Sequence, residues 1–363
     1  MTPAELAGGA AAHPLLDSDG RIVDPVLLVD RDAPDHPQAM PAALASRRIL
    51  IGVASRAATG ALAAALDFTL IPRSVAADTT EVGLSTGPTL VGVEDPRADA
   101  AALVAAIRAN PHAATLLTGL LRAEVPSGLV ALEAESLAYS TLLGGPEFQR
   151  WLEATPRPAP PPPAVDPVLV RREDEAGGDV LRVTLNRPER RNAYGREVRD
   201  ALVAALDLGY VLAVPPGPTG PSAGPGFRLV LDGAGPSFCA GGDLGEFGTT
   251  PDPVTAHLIR LHAGAARPLL ELSDSVEARL HGPCVGAGVE LPAFAKHVYA
   301  APGTTFRLPE VGMGLIPGAG GTVSLPRRIG RWRTLYLALS GIELDTDTAL
   351  AWRLVDAVIP PAG

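Results

Sequence analysis

The stretch HGPCVGAGVELPAF, residues 281–294, decides the fold class. The segment at 276–284 is typical of a strand, and the small residues at 286–288 separate it from a helix. Unpaired N–H groups and the positive end of the helix dipole therefore face this loop and favour developing negative charge. Glu290 lies in the first turn of that helix, where a glutamate can also serve only to offset the dipole.

Two further glycine-rich loops lie on either side of this stretch. The first, SFCAGGDLGEF at 237–247, has small residues that let a ligand approach the backbone, and its Asp243 can cap a following helix. The second, FRLPEVGMGLIPGAGGTVSLPRRIG at 306–330, places Glu310 after a proline and a glycine run before another helix. It lacks the Gly-Lys-Ser/Thr ending of a nucleotide-binding loop. Each motif alone is equally compatible with an ordinary glycine turn.

Regular elements are predicted in both halves of the chain. In the C-terminal half, strands are predicted at 179–186, 227–235 and 276–284 and a helix at 196–209. This alternation predicts an α/β fold with parallel strands. In the N-terminal half we expect a buried strand, a helix that runs into a strand, and a helical bundle, at residues 47–55, 59–71 and 95–154. Asp95 is a candidate cap for the first bundle helix.

Composition limits the classes of function. The net charge of −10 disfavours a general nucleic-acid surface, and the 47% of apolar residues suffices for a large core. Cys239 and Cys284 are too few for a disulfide framework, and the histidines show no metal spacing. The N-terminus does not resemble a signal peptide, and no apolar stretch is long enough to span a membrane. We therefore expect a cytoplasmic protein with no metal site.

Proline-rich segments indicate the domain boundaries. ATPRPAPPPPAV at 154–165 favours an extended linker, so we predict an N-terminal domain, a linker and a C-terminal domain, at residues 1–155, 156–166 and 167–363. The segment PPGPTGPSAGPG at 215–226 cannot continue a helix or strand and is predicted to be a surface insertion.

Taken together, the loops resemble the enoyl-CoA hydratase/isomerase (crotonase) superfamily. The resemblance begins at LNRPERRNAY and continues through CAGGDL, GPCVGAGVEL and LPEVGMGLIPGAGGT to GIELDTDTALAWRLVDAVIP at 341–360. It implies the ClpP/crotonase fold, a spiral of ββα units, here with an attached helical domain. It also implies an acyl-CoA substrate, with coenzyme A as part of that substrate and no separate cofactor, and assembly as a homotrimer or hexamer.

The resemblance implies a role for individual residues. Gly242 and Ala287 match the two backbone N–H donors of the family's oxyanion hole, each worth about 3 kcal/mol. Glu290 and Glu310 match the two glutamates with which hydratases activate water and move the proton at the α-carbon. Because many relatives that isomerise or cleave keep one glutamate, the pair favours hydration of a 2-enoyl thioester.

The predicted contacts to substrate or coenzyme A are Arg187, Arg191, Ala240, Asp243, Leu244, Gly286 and Gly318. The sequence departs from the family pattern at four places. Gly245 replaces a common lysine, Lys296 a structural aspartate, Arg307 and Leu308 the usual glycine and glutamine, and His281 a common asparagine. These departures concern the coenzyme A phosphate contacts and the positioning of water.

The N-terminal half resembles a degenerate copy of part of the same fold. Family members usually continue past the point that Gly363 matches with a helical tail, and residues 98–154 resemble that tail. ILIGVASRAATGALAAALDFTLI at 49–71 resembles the catalytic strand–loop–helix segment, with Asp67 at the structural aspartate position and Ala61 in place of a catalytic glutamate. We expect a degenerate, non-catalytic portion that supplies a helical lid; a chance similarity of alanine-rich helices is the alternative.

The sequence therefore predicts an enoyl-CoA hydratase-like enzyme that adds water syn to a 2-enoyl-CoA. The alternatives within the fold are an enoyl-CoA isomerase and a cofactor-free dioxygenase of aryl-acetyl-CoA, the latter disfavoured by the glutamate pair. A catalytically silent subunit that partners an active homologue is a third alternative.

Overall fold

The computed structural model describes residues 1–76, 89–123, 125, 127–156, 162, 165–175, 178–213 and 227–360. The predicted insertion at 215–226 lies outside the described residues, as do residues 157–161, 163 and 164 of the predicted linker. Among the described helices, none combines the length and the apolar character needed to cross a membrane.

A four-stranded parallel sheet forms the first part of the chain. Its strands follow sequence order, and they are β1 (Val26–Asp30), β2 (Ile49–Val53), β3 (Phe68–Pro72) and β4 (Leu90–Val93). Short helices accompany it, among them α1 (Pro3–Ala7), α2 (Ala39–Ala45) and α3 (Ala61–Ala65). β2 and β3 are buried along almost their whole length, as expected for apolar strands covered on both faces. The predicted strand and the helix that runs into a strand are confirmed.

Four helices follow, as the periodicity of residues 95–154 predicts: α4 (Pro96–Ala109), α5 (Pro111–Arg122), α6 (Gly128–Leu143) and α7 (Pro146–Ala154). Asp95 caps α4 as predicted, because its carboxylate accepts hydrogen bonds from the N–H groups of Arg97 and Ala98. Proline is the first residue of α4, α5 and α7, where its missing N–H costs no helical hydrogen bond.

The C-terminal half contains two sheets. The larger has the strand order β13-β10-β8-β7-β6-β5, parallel except for the antiparallel pair β5–β6. The smaller has the order β12-β11-β9. The bounds of these strands are β5 (Val168–Glu175), β6 (Gly178–Leu185), β7 (Arg228–Gly233), β8 (Val276–Leu280), β9 (Pro283–Val285), β10 (His297–Ala300), β11 (Thr305–Arg307), β12 (Glu343–Leu344) and β13 (Ala357–Val358).

Six helices connect these strands: α8 (Arg196–Ala213), α9 (Pro253–Ala263), α10 (Ala266–Glu271), α11 (Ala287–Glu290), α12 (Gly321–Ser340) and α13 (Thr346–Ala351). α12 is interrupted at Gly330, whose positive φ of 78° breaks the helical path. Short 3₁₀ turns lie after β6, after α10, after α11 and at Glu310–Met313. The alternation of strands and helices confirms the predicted α/β class.

The two halves contain the same order of parallel strands. β7, β8, β10 and β13 are neighbours in one sheet, as β1 to β4 are in the other. The register also agrees, since the N–H of Asp67 donates to the carbonyl of Leu50 at 2.9 Å and the N–H of Lys296 donates to that of Val276 at 2.9 Å. Asp67 and Lys296 therefore hold equivalent positions immediately before β3 and β10.

One continuous hydrophobic core joins the two halves. It includes Phe68, Leu117 and Phe148 from the N-terminal half and Leu181 and Phe306 from the C-terminal half. α6 packs against α9 and α12, and α5 also packs against α12. Because apolar burial contributes about 25 cal/mol per Å², this shared core resists separation of the halves at the linker.

Candidate active site

The three loops predicted to carry the chemistry converge on one cavity of about 450 Å³. Gly242 lines it from the first loop, Ala287 and Glu290 from the second, and Glu310 and Gly318 from the third. The convergence follows from topology, since these loops lie beyond the carboxyl ends of neighbouring parallel strands β7 and β8 and along the small sheet.

Two backbone N–H groups at this cavity are available to a ligand. Within the described residues, the N–H groups of Gly242 and Ala287 donate no hydrogen bond. Ala287 is the first residue of α11, where a free N–H is the rule. Gly288 has no side chain, and a Cβ there would collide with the carbonyl oxygen of Cys239, so only glycine lets α11 approach the first loop this closely.

Glu290 is anchored through one carboxylate oxygen. Its Oε2 accepts hydrogen bonds from the N–H groups of Ala319 at 2.7 Å and Gly321 at 3.0 Å. The residue is 2% exposed. Burial raises the pKa of Glu290 well above its usual range, and the neighbouring charges of Glu310 and Glu135 raise it further, against the two N–H donors.

Glu310 reaches the same cavity from the 3₁₀ turn after Pro309. Within the described residues, its buried Oε2 has no hydrogen-bond partner. Gly286, with a φ of 50°, makes room for the other oxygen, because a Cβ there would lie 2.5 Å from Glu310 Oε1. Burial raises the pKa of Glu310 to about 8, with a smaller contribution from the charge of Glu135. Both predicted glutamates are thus buried carboxyl groups with raised pKa values.

Glu135, on α6 of the N-terminal half, is a third carboxyl group at the cavity, and sequence reasoning missed it. It accepts hydrogen bonds from the N–H of Gly320 at 2.7 Å, the N–H of Thr322 at 2.9 Å and the Thr322 hydroxyl at 2.7 Å. Burial raises its pKa to about 7, although these three donors oppose the rise. Glu135 therefore joins the N-terminal half to the first turn of α12, beside the donors that hold Glu290.

A signal for Glu135 was present in the sequence. Leu132, Glu135 and Tyr139 recur at the spacing of one helix face, so a carboxyl group between two large nonpolar side chains was predictable as buried. The same face of α6 forms a wall of the cavity, and the ring of Tyr139 lies directly over Gly318. The lid expected from the N-terminal half therefore lines the same cavity as the predicted catalytic residues, within one chain.

The predicted substrate contacts fall into two groups. Asp243 and Gly318 line the cavity, whereas Ala240, Leu244 and Gly286 belong to the same loops without lining it. Asp243 does not cap a helix as predicted, because turns follow it; its carboxylate pairs with Arg190 at 2.6 Å and accepts from the N–H of Gly245.

The two predicted arginines do not line the cavity. Arg187 is buried, pairs with Glu189 and Glu197, and donates to the carbonyl of Pro162. Arg191 is exposed and has a left-handed φ of 51°. The positively charged residues that do line the cavity include Arg196, Arg199, Arg260 and Arg267, which the motifs did not indicate.

Two further sequence expectations concern histidine and cysteine. His281, which stands in place of a common asparagine of the family, does not line the cavity. Its Nε2 lies 2.9 Å from the carbonyl oxygen of Gly235, and His262 is the histidine that lines the cavity. Cys239 is buried, and burial raises the pKa of its thiol to about 12. A thiol held protonated in this way is a packing residue and not a nucleophile.

The comparisons with known proteins agree with the motifs. Residues 222–363 match the family model for enoyl-CoA hydratase/isomerase. The chain is 34% identical over 196 residues to a mevalonyl-coenzyme A hydratase of Beauveria bassiana, covering 51% of this chain and 65% of the relative. It is 34% identical over 188 residues to a 1,2-epoxyphenylacetyl-CoA isomerase of Escherichia coli, covering 50% and 66%. A solved enoyl-CoA hydratase from Thermoplasma volcanium is 30% identical, covers 53% of this chain and 71% of that chain, and has a TM-score of 0.44.

The C-terminal half of the chain therefore belongs to the enoyl-CoA hydratase/isomerase family, the crotonase superfamily of enzymes. The predicted family and the predicted crotonase-like α/β fold are confirmed. The chain spans slightly less than two thirds of the length of the curated relatives named above. Their names include both a hydratase and an isomerase, so the family match leaves the reaction itself open.

Proposed function

We propose that the protein is an enoyl-CoA hydratase, which adds water to the double bond of a 2-enoyl-CoA thioester. One observation carries the proposal: Glu290 and Glu310 are buried on the same cavity as the unpaired N–H groups of Gly242 and Ala287. A hydratase needs two such proton-transferring groups beside an oxyanion hole.

In the proposed reaction, the thioester carbonyl oxygen accepts hydrogen bonds from the N–H groups of Gly242 and Ala287. One carboxylate of the glutamate pair takes a proton from water while the water oxygen bonds to the β-carbon. The electrons of the double bond move toward the carbonyl, and the resulting enolate oxygen is stabilised by the two N–H groups. The other carboxyl group then gives its proton to the α-carbon, which completes syn addition.

The environments of the two glutamates suit this division of work. Near-neutral pKa values are what acid–base catalysis at physiological pH requires, and burial raises the pKa of both groups. Glu290 Oε2 is fixed by two N–H donors, whereas Glu310 Oε2 has no partner among the described residues and is therefore available to a water molecule. A partly buried site also strengthens these interactions, since bulk water is excluded.

The N-terminal half serves this reaction as a degenerate crotonase portion that closes the cavity from within the same chain. Its four parallel strands repeat the order of β7, β8, β10 and β13, and its α6 supplies the wall that carries Glu135 and Tyr139. Ala61 stands in place of a catalytic glutamate in this half, so it provides structure and not chemistry.

Isomerisation of a 3-enoyl-CoA is the second candidate, because the matching family model covers enoyl-CoA isomerases as well as hydratases. An isomerase moves a proton between two carbons and takes up no oxygen, so a single carboxyl group can serve. The presence of both Glu290 and Glu310 favours hydration over this alternative.

Product analysis in ¹⁸O-labelled water distinguishes the two reactions. Incubation with crotonyl-CoA should give 3-hydroxybutyryl-CoA that carries one ¹⁸O atom, as measured by mass spectrometry. His281→Ala is the matched control, because His281 is a polar residue outside the cavity lining, and this variant should retain the activity. Conversion of 3-butenoyl-CoA to crotonyl-CoA without incorporation of ¹⁸O would instead support an isomerase, and no turnover of either substrate would refute the proposal.

A further inference from the structure

Arg260, on α9, is a cation at the cavity that the proposed reaction does not use. Its guanidinium carbon lies 4.0 Å from the centroid of the Tyr139 ring. Its Nη1 donates to the carbonyl of Ser136 at 3.4 Å, to the Ser136 hydroxyl at 3.2 Å and to the Ser140 hydroxyl at 3.0 Å. Every partner of this guanidinium among the described residues is therefore neutral.

Two of the other three arginines of the cavity are ion-paired, and the third, Arg196, is exposed. Arg199 pairs with Asp200 at 2.6 Å, and Arg267 pairs with Glu271 at 2.9 Å. In the described part of the chain, no carboxylate lies within 4.0 Å of Arg260. A half-buried guanidinium without a direct counter-ion is costly, because its partly desolvated charge is not offset by an ion pair.

The two carboxyl groups whose charges act on Arg260 already accept hydrogen bonds from other residues. Glu135 and Glu290 influence the pKa of Arg260, yet the carboxylate of Glu135 accepts from Gly320 and Thr322, and Glu290 Oε2 accepts from Ala319 and Gly321. Arg260 therefore lines the same cavity as Glu290 and Glu310 and forms an ion pair with neither in the described part of the chain, whereas Arg267 is an exposed residue.

One edge of the guanidinium is unused. Nε and Nη2 of Arg260 donate no hydrogen bond to any described residue, and neither nitrogen is fully buried. These two nitrogens form the planar fork that binds a carboxylate through two parallel hydrogen bonds. The lining of the cavity also includes the apolar residues Leu132, Leu143 and Ile259.

We propose that Arg260 binds an anionic group, a carboxylate, at the distal end of the acyl chain, so that the preferred substrate is the CoA thioester of a dicarboxylic acid. This inference rests on the proposed acyl-CoA function, because it takes the thioester to lie at Gly242 and Ala287 and the reacting carbons to lie between the glutamates. The acyl chain beyond those carbons then extends along α6 and α9 toward the free fork.

Binding of two saturated thioesters tests the inference independently of turnover. Glutaryl-CoA carries the distal carboxylate, butyryl-CoA does not, and neither has the double bond that hydration requires. By isothermal titration calorimetry, the wild-type protein should bind glutaryl-CoA at least 10-fold more tightly than butyryl-CoA, as a charge-assisted bidentate contact is worth roughly 1.5 to 3 kcal/mol. Equal affinities for the two ligands would overturn the proposal.

Substitutions assign the preference to Arg260. Arg260→Met should reduce the ratio of the two affinities to near one, and Arg260→Lys should give an intermediate ratio because it keeps the charge but not the fork. Arg267→Met is the matched control, since it removes an ion-paired arginine of the same cavity and should leave the ratio at its wild-type value. A ratio that survives in folded Arg260→Met, with or without an equal loss of affinity for both ligands, would overturn the assignment of the distal carboxylate to Arg260.

Turnover separates this inference from the proposed function. Glutaconyl-CoA should be hydrated with a kcat/KM at least 10-fold above that of crotonyl-CoA. Hydration of crotonyl-CoA without any preference for glutaryl-CoA in binding would refute the inference and leave the hydratase assignment intact. A preference for glutaryl-CoA with no hydration of either enoyl thioester would refute the hydratase assignment and keep the ligand class.

Discussion

Replacing Glu135 by alanine should destabilise the protein by about 4 kcal/mol. The substitution removes three hydrogen bonds of 2.7 to 2.9 Å and leaves the buried N–H groups of Gly320 and Thr322 without an acceptor. Each unsatisfied buried donor costs roughly 1 to 3 kcal/mol, and the free hydroxyl of Thr322 can reorient, so the sum is about 4 kcal/mol. This is a large share of the 5 to 15 kcal/mol typical of a folded domain, in order of magnitude.

Urea unfolding followed by tryptophan fluorescence measures this loss as a shift in midpoint at constant m-value. Glu133→Ala is the matched control, because Glu133 is on the same helix and exposed, and it should change the free energy of unfolding by less than about 0.5 kcal/mol. The loss should be smaller for Glu135→Gln, which keeps one acceptor oxygen. A loss below 1 kcal/mol for Glu135→Ala would refute the view that Glu135 fastens the N-terminal half to α12.

Three further outcomes follow from the same contacts. Gly286→Ala should lower kcat at least 10-fold in a folded protein, because φ at 286 is 50° and the new Cβ would lie 2.5 Å from Glu310 Oε1. Steady-state hydration of crotonyl-CoA measures this effect, and an unchanged kcat would contradict the placement of Glu310. The raised pKa of Glu310, about 8 against 4.5, means that the folded state binds its proton more tightly, so stability is greatest at low pH and falls as pH rises from 4.5 to 8. Relative to Glu310→Gln, the wild-type protein should lose about 3 kcal/mol between pH 5 and pH 8 in urea unfolding, and parallel pH curves would exclude burial of an ionisable Glu310. Deleting residues 1–155 should give an insoluble or inactive remainder, as judged by size-exclusion chromatography and the same assay, and a soluble, active remainder would refute the role of α6 as a cavity wall.

The sequence predicted the elements and the loops of the site because their signals are local. Asp95 and Pro96 indicate the start of α4, and the glycines at 286 and 288 indicate the close approach of α11 to a neighbouring loop. The family motifs also predicted Glu290 and Glu310 as site residues, and both line one cavity as predicted.

The contacts that could not be predicted are those between distant parts of the chain. The residues around Glu135 do not indicate its partner, because Gly320 is 185 residues away and the pairing depends on how α6 packs on α12. The contacts of Arg260 likewise could not be predicted, because Ser136 and Tyr139 lie on another helix. Arg187, in contrast, matched a motif at the start of the family resemblance, yet local ion pairs with Glu189 and Glu197 direct it away from the cavity.

The central claim is that two carboxyl groups act together on one thioester. The most direct measurement is the kcat for crotonyl-CoA hydration in Glu290→Gln, Glu310→Gln and the double variant. Each single substitution should lower kcat at least 100-fold, and the double variant should be little worse than either single variant, because residues that act as a unit are not additive. Wild-type turnover that survives in either single variant would contradict the account.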